Sequence, residues 1–243
     1  MTPSLANKVA VITGGSSGIG RAVAVTLAAE GAHLFLIGRH LDTLRTLGEG
    51  VRSSTQRLVT FQADLTVDAD IERLKLEVER QFGAVDLLVH SAGILALGSI
   101  EAAPATEFDA QYRCNVRAPL VLTQALLPMI KKCHGQIVFM NSTAGLEARA
   151  NVGQYAATKH ALRAIADSLR AEVNPAGVRV LSLFLGRTAT PMQEAVFRRE
   201  GKAYSPEQLL QPEDIANLVM ATVRLPRTVE VTEIRVRPAV KSY

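Results

Sequence analysis

Seven apolar runs of strand length alternate with helix-length stretches along the whole chain, and no other feature restricts the possible folds as much. The runs are Val9–Thr13, His33–Ile37, Leu58–Gln62, Leu87–His90, Gln136–Asn141, Arg179–Leu185 and Glu233–Arg237. Most are continuous in β-branched and aliphatic residues, the pattern of strands covered on both faces in a parallel sheet. Helices are predicted over Gly18–Glu30, Leu41–Arg52, Asp68–Phe82, Glu107–Cys133, Gly153–Asn174 and Pro212–Val223. Strand–helix–strand repetition without a break in composition predicts an α/β architecture. One doubly wound domain is expected over residues 1–243, a parallel seven-stranded sheet with helices on both faces. The least regular stretch, 191–211, follows the sixth strand on the side where open α/β sheets bind ligands. It is expected to form a substrate loop or lid.

A chain of 243 residues buries roughly 70% of its unfolded surface, so neither a disulfide nor a metal staple is needed. The two cysteines, Cys114 and Cys133, form no ligand spacing with each other or with the five histidines, and no metal site is expected. So few thiols point to a reducing cytoplasm. No apolar segment reaches the roughly 18 residues of a membrane span. Met1 to Lys8 lacks the basic-then-apolar layout of a secretion signal. The pI is about 9.3, but the net charge is only +4, the basic residues are scattered, aromatics make up 5% and tryptophan is absent. That distribution argues against nucleic acid or a membrane as partner and for a small-molecule substrate.

The first strand runs into Thr13-Gly-Gly-Ser-Ser-Gly-Ile-Gly20, which opens a helix. Glycines let the backbone turn sharply and approach a pyrophosphate, whose charge then sits at a helix N-terminus. Gly14, Ser16, Ser17, Gly18, Ile19 and Gly20 are therefore candidate dinucleotide contacts. The second strand ends Gly38-Arg39-His40, without an acid. A carboxylate at this position accepts from the ribose 2′-hydroxyl of NAD, whereas an arginine suits the 2′-phosphate of NADP. Arg39 offers that phosphate a planar fork of donors, and Asp42 falls at the start of the next helix. NADP(H) is the expected cofactor and NAD(H) the alternative.

Tyr155-Ala-Ala-Thr-Lys159 places a phenol and an ammonium one turn apart on a helix face. A free phenol, with a pKa near ~10, exchanges protons sluggishly at neutral pH. The neighbouring ammonium is expected to lower that value, a shift of ~2–3 units amounting to roughly 3–4 kcal/mol.

The T-G-x-x-x-G-x-G turn and the Y-x-x-x-K pair resemble the short-chain dehydrogenase/reductase family, and the resemblance runs over essentially the whole chain. It implies a Rossmann-type sheet. Asp64-Leu65 resembles the family's contact to the adenine ring. His90-Ser91-Ala92-Gly93 stands where the family has Asn-Asn-Ala-Gly; Ser91, Ala92 and Gly93 are counted as cofactor contacts. Leu185-Gly186-Arg187-Thr188-Ala189-Thr190 is similar to the family's Pro-Gly-x-Val-x-Thr, which implies nicotinamide contacts for Gly186, Thr188 and Thr190. Ser142, thirteen residues before Tyr155, matches the catalytic serine that holds the substrate oxygen. Asn115 resembles the asparagine whose backbone carbonyl positions a water linked to the lysine.

The resemblance therefore implies an oxidoreductase that moves a hydride between NADP(H) and a carbonyl or secondary-alcohol substrate. Tyr155 is its general acid/base, and Lys159 binds the nicotinamide ribose. A homodimer or homotetramer assembled through helices 107–133 and 153–174 is implied as well. The ending Arg235–Tyr243 lacks the Asp-Gly-Gly on which many tetramer contacts rest. The alternative is a catalytically silent NAD(P)-binding sensor or scaffold of the same fold. A nucleotide-sugar epimerase would carry a longer substrate domain and G-x-x-G-x-x-G spacing, and this chain has neither. Stretch 191–211 offers Met192, Val196 and Phe197 beside Arg198, Arg199 and Lys202. This suits an apolar ketone or an acidic substrate, and the sequence leaves both open.

Overall fold

A computed structural model describes residues 5–240. The first residues of the Met1–Lys8 segment, the last of the Arg235–Tyr243 tail and the ends of the predicted 1–243 domain lie outside them. The strands are β1 (Val9–Thr13), β2 (His33–Gly38), β3 (Leu58–Gln62), β4 (Leu87–His90), β5 (Gln136–Ser142), β6 (Arg179–Leu185) and β7 (Glu233–Val236). All pair in parallel, in the order β3-β2-β1-β4-β5-β6-β7. The α-helices are α1 (Gly18–Ala29), α2 (Leu41–Val51), α3 (Asp68–Gln81), α4 (Ala105–Tyr112), α5 (Ala118–Lys132), α6 (Gly153–Val173), α7 (Pro191–Arg199) and α8 (Pro212–Val223). The expected doubly wound α/β fold is thus what the chain adopts. Among the described residues no helix is long and apolar enough to cross a membrane.

The sheet divides the core in two. Successive strand residues point to opposite faces, so Ile12 and Leu36 join α1, α2 and α8 on one side, with Leu27, Leu44 and Val219. Val11 and Phe35 join α3, α5 and α6 on the other, with Leu74, Leu122 and Leu162. Each such fully buried side chain is worth about 1.5–3 kcal/mol of transfer free energy. Winding reverses between β1 and β4, where Thr13 lies level with Ile37 on one side and His90 on the other. Connections leave the strand ends in opposite directions there, and a crevice opens.

Two elements differ from the sequence expectation. The single helix predicted over Glu107–Cys133 is α4 and α5 joined by a π-turn, Arg113–Arg117, in which the Ala118 N–H reaches Arg113 O, five residues back. Pro119 supplies the reason. It has no N–H to give the Asn115 carbonyl four residues earlier, and its ring crowds that carbonyl, so the helix widens. Stretch 191–211 is not irregular throughout: it holds α7 and a short 3₁₀ turn at Pro206–Gln208. Thr190 caps α7 by accepting from Gln193 N at 3.2 Å, and Pro191 follows at the first helical position.

Candidate active site

The crevice at the carboxyl ends of the strands is a cleft of about 1280 Å³. Its floor is backbone. Gly14 has φ 65°, and a Cβ on it would lie 2.9 Å from Ala92 N; a Cβ on Gly20 would lie 2.3 Å from Gly14 O. Only glycine permits both approaches. The Thr13 hydroxyl accepts from Ser91 N at 3.0 Å and Ala92 N at 3.1 Å, which stitches the end of β4 to β1. A Cβ on Gly93 would stand 3.3 Å from Asn115 Oδ1 and 4.0 Å from Lys159 Nζ.

Most of the residues singled out from the sequence line this one cleft. Gly14, Ser16, Ser17, Gly18 and Ile19 form one wall, continuing through Arg39, Asp64 and Leu65. Ser91, Ala92 and Gly93 follow, then Ser142, Tyr155 and Lys159, then Gly186, Thr188 and Thr190. Gly20 and Asn115 do not line it. Gly20 lies behind the turn against Gly14, and Asn115 is buried beneath Gly93. Gln62 fixes the Arg39 backbone by donating to its carbonyl at 2.9 Å. The Asp64 carboxylate accepts from Thr66 N and Oγ1, and those bonds hold its pKa below the ordinary range.

Six polar side chains organise the floor beside α6. Ser142 Oγ accepts from Ala144 N at 3.1 Å, which leaves its O–H for the Tyr155 phenol it hydrogen-bonds. Lys159, 6% exposed, donates from Nζ to Met140 O at 3.0 Å, and its own carbonyl accepts from Asn141 Nδ2 at 3.1 Å. Asn115 Oδ1 accepts from Ile94 N at 2.9 Å, while its Nδ2 donates to Ile94 O at 2.8 Å and Thr158 Oγ1 at 3.2 Å. Thr158 in turn donates to Tyr155 O at 2.7 Å. The asparagine thus ties the chain after β4 to the turn of α6 that carries Tyr155.

The electrostatics correct one expectation. Burial pushes the Tyr155 phenol up to about 12, with the Ser142 hydrogen bond acting against it. Burial likewise lowers Lys159 to about 8, opposed by the nearby Cys114 thiol. The lysine Nζ lies 5.7 Å from the centre of the tyrosine ring and gives one of its N–H groups to Met140 O. Desolvation therefore outweighs the neighbouring ammonium, and the phenol's pKa stands above its free value rather than below it.

His90, one of the two departures from the family motif, is buried, stacks on Phe139 at 4.8 Å and bonds Thr123 Oγ1 through Nε2 at 2.8 Å. It links β4 to β5 and α5. Leu185, in place of proline, is buried at the end of β6, and Gly186 N donates to Val236 O at 2.8 Å.

The cleft is also lined by apolar Leu146, Val152, Met192 and Val196 and by charged Arg149, Arg187, Arg235 and Arg237. Arg198, Arg199 and Lys202 do not line the cleft; Arg198 pairs with Glu194 and Lys202 with Glu200. Nor does Phe197, which is buried under Arg187 at 4.6 Å and against Tyr204. Sequence reasoning missed Asn141, whose signal is a polar residue ending an apolar strand, and Arg237, for which no local signal exists.

A sequence profile described as short chain dehydrogenase matches residues 8–201. An uncharacterized oxidoreductase of Staphylococcus epidermidis is 33% identical over 232 residues, covering 95% of this chain and 97% of that protein. Glycine betaine reductase ATRR of Emericella nidulans is 35% identical over 96% of this chain, and the chain spans only 19% of that protein's length. Among solved structures, an alcohol dehydrogenase from the archaeon Thermococcus sibiricus, complexed with 5-hydroxy-NADP, superposes with a TM-score of 0.89. It is 28% identical, and the match covers 97% of this chain and 98% of that one. The chain belongs to the short-chain dehydrogenase family, a family of oxidoreductases.

Proposed function

We propose that this protein is an NADP(H)-dependent oxidoreductase acting on a carbonyl or secondary-alcohol substrate, with Tyr155 as its general acid/base. The observation that carries the reading is one cleft joining a backbone-floored glycine turn to a half-buried Ser142–Tyr155 pair and a buried lysine. An extended dinucleotide fits this floor. Gly14, Gly18 and Gly93 leave backbone where side chains would intrude, the N-terminus of α1 would hold the phosphates, and Arg39 would take a 2′-phosphate. When bound, the nicotinamide supplies or takes the hydride, and its oxidised form adds positive charge.

The chain's own residues do the rest. With substrate bound, Ser142 turns its O–H from the Tyr155 phenol to the substrate oxygen, holds it and steadies negative charge as it develops. Tyr155, kept protonated by burial, gives its proton to that oxygen during reduction and takes it back during oxidation. Lys159 binds the ribose hydroxyls and, as an ammonium, stabilises the phenolate left behind. Asn115 holds α6 and the Ile94 segment in register, so that the phenol meets the substrate in one place.

Calorimetric titration with NADPH and NADH side by side tests the cofactor. Tighter NADPH binding is expected, and Arg39→Asp should move the preference toward NADH. An unchanged ratio would remove Arg39 as the phosphate reader, and binding of neither would leave a silent scaffold as the better account.

A further inference from the structure

Resting on the reading just given, we infer that the substrate end of the cleft selects carbonyl compounds bearing an anionic group, a carboxylate or a phosphate, with Arg237 as its principal reader. Arg237 follows β7 directly. Its Cα lies 3.1 Å from where a Cβ of Gly186 would be, and the Gly186 N–H is bonded to the carbonyl of Val236. Pro238, buried next to it, fixes the chain's course. The base of this arginine is therefore anchored against the segment that carries Gly186, Thr188 and Thr190.

The other cations on this part of the wall are already engaged. Arg187 gives two hydrogen bonds to Glu200, at 2.7 and 2.9 Å, and lies over Phe197. Arg235 donates to Glu233 at 3.3 Å. The guanidinium groups of Arg237 and Arg149 have no carboxylate or hydrogen-bond partner among the described residues. Glu147, Asp109 and Glu200 also line the cleft, but none of them is paired with Arg237, whose side chain, like that of Arg149, is exposed to solvent.

The same cleft is lined by apolar Leu146, Val152, Met192 and Val196 together with Tyr155. An apolar body with one anionic end satisfies both parts. A neutral ketone would use the apolar wall alone and leave two cations facing the mouth. Low-dielectric walls focus the field of such unpaired charge, and a guanidinium meets a carboxylate or phosphate with charge-assisted, planar hydrogen bonds.

The test is a matched set of aldehydes reduced with NADPH: 4-carboxybenzaldehyde, its methyl ester methyl 4-formylbenzoate, and 4-formylphenyl phosphate. The acid-to-ester ratio of kcat/KM should fall roughly tenfold or more in Arg237→Gln, and Arg237→Lys should keep part of it. The phosphate-to-acid ratio tells which anion the site prefers. An acid-to-ester ratio that is the same in the protein and in Arg237→Gln overturns the inference. A second measurement involves no chemistry: binding of 4-(hydroxymethyl)benzoate and of its methyl ester to protein saturated with NADPH. Equal affinities would also overturn it. Charge-dependent binding that Arg237→Gln abolishes, in a protein that reduces none of the aldehydes, would uphold the anion site and sink the oxidoreductase reading.

Discussion

Tyr155 and Lys159 are pulled by burial in opposite directions, and the pH dependence follows from that. The phenol, at about 12, keeps its proton through the working range, so the donor proposed for reduction is always charged with a proton. The ammonium, at about 8, is the group that titrates: its charge is present below that value and lost as pH rises through it. Carbonyl reduction should therefore fall above about pH 8 with a single ionisation, and a flat profile from pH 6 to 10 would contradict Lys159's part in it. Tyr155→Phe should cost about 100- to 10,000-fold in kcat while NADPH still binds. Steady-state kinetics with parallel calorimetry would show whether turnover and binding separate in this way. The motif resemblance singled out Ser142, Tyr155 and Lys159, and the fold brings all three to one cleft. Asn141 was not legible in the sequence, because its value lies in joining Ser142 N and Lys159 O, neighbours that only the folded chain supplies.

Elements were read best where one signal ran uninterrupted, as in the wholly buried β1 and β6. They were read worst where a local exception decided the matter. Pro119, four residues after Asn115, marked the π-turn, and Thr190-Pro191 marked the start of α7; both signs are single residues inside otherwise ordinary stretches. The glycine turn gives a sharp contrast with another helix. Gly20→Ala drives a Cβ into Gly14 O and should cost about 1–3 kcal/mol and weaken NADPH binding. Gly50→Ala in α2 meets nothing within 4 Å and should stabilise by about 0.5–1 kcal/mol. Chemical denaturation of both variants would expose any error in this pairing. For α7 the holding contact is Arg187 on Glu200 and Phe197. Arg187→Leu should speed tryptic cleavage at Arg198 and Arg199 and raise KM more than it lowers kcat. Unchanged cleavage would mean that α7 is held by its own packing and is no lid.

Across the whole molecule, the centre of the sheet carries an acid-sensitive bond. Burial holds His90 down to about 3, against an ordinary 6.5. The unfolded chain therefore binds a proton that the fold refuses, and the stability present above about pH 6.5 is lost as pH falls toward about 3. The slope is at most about 1.4 kcal/mol per pH unit for this one group. Melting temperatures from pH 7 to 4 should drop more steeply for the protein than for His90→Asn, and parallel curves would exclude His90 as a source of acid lability. The division between floor and rim has a consequence for how such a molecule changes over generations. Its floor, and the turn behind it, rest on places where a side chain meets backbone, at Gly14 and Gly20, so what it holds is inherited as spacing. Its rim, at Arg149, Met192, Val196 and Arg237, is inherited as identity, one codon at a time. A library randomised at those four positions would roam widely in what it accepts while keeping the same nucleotide underneath.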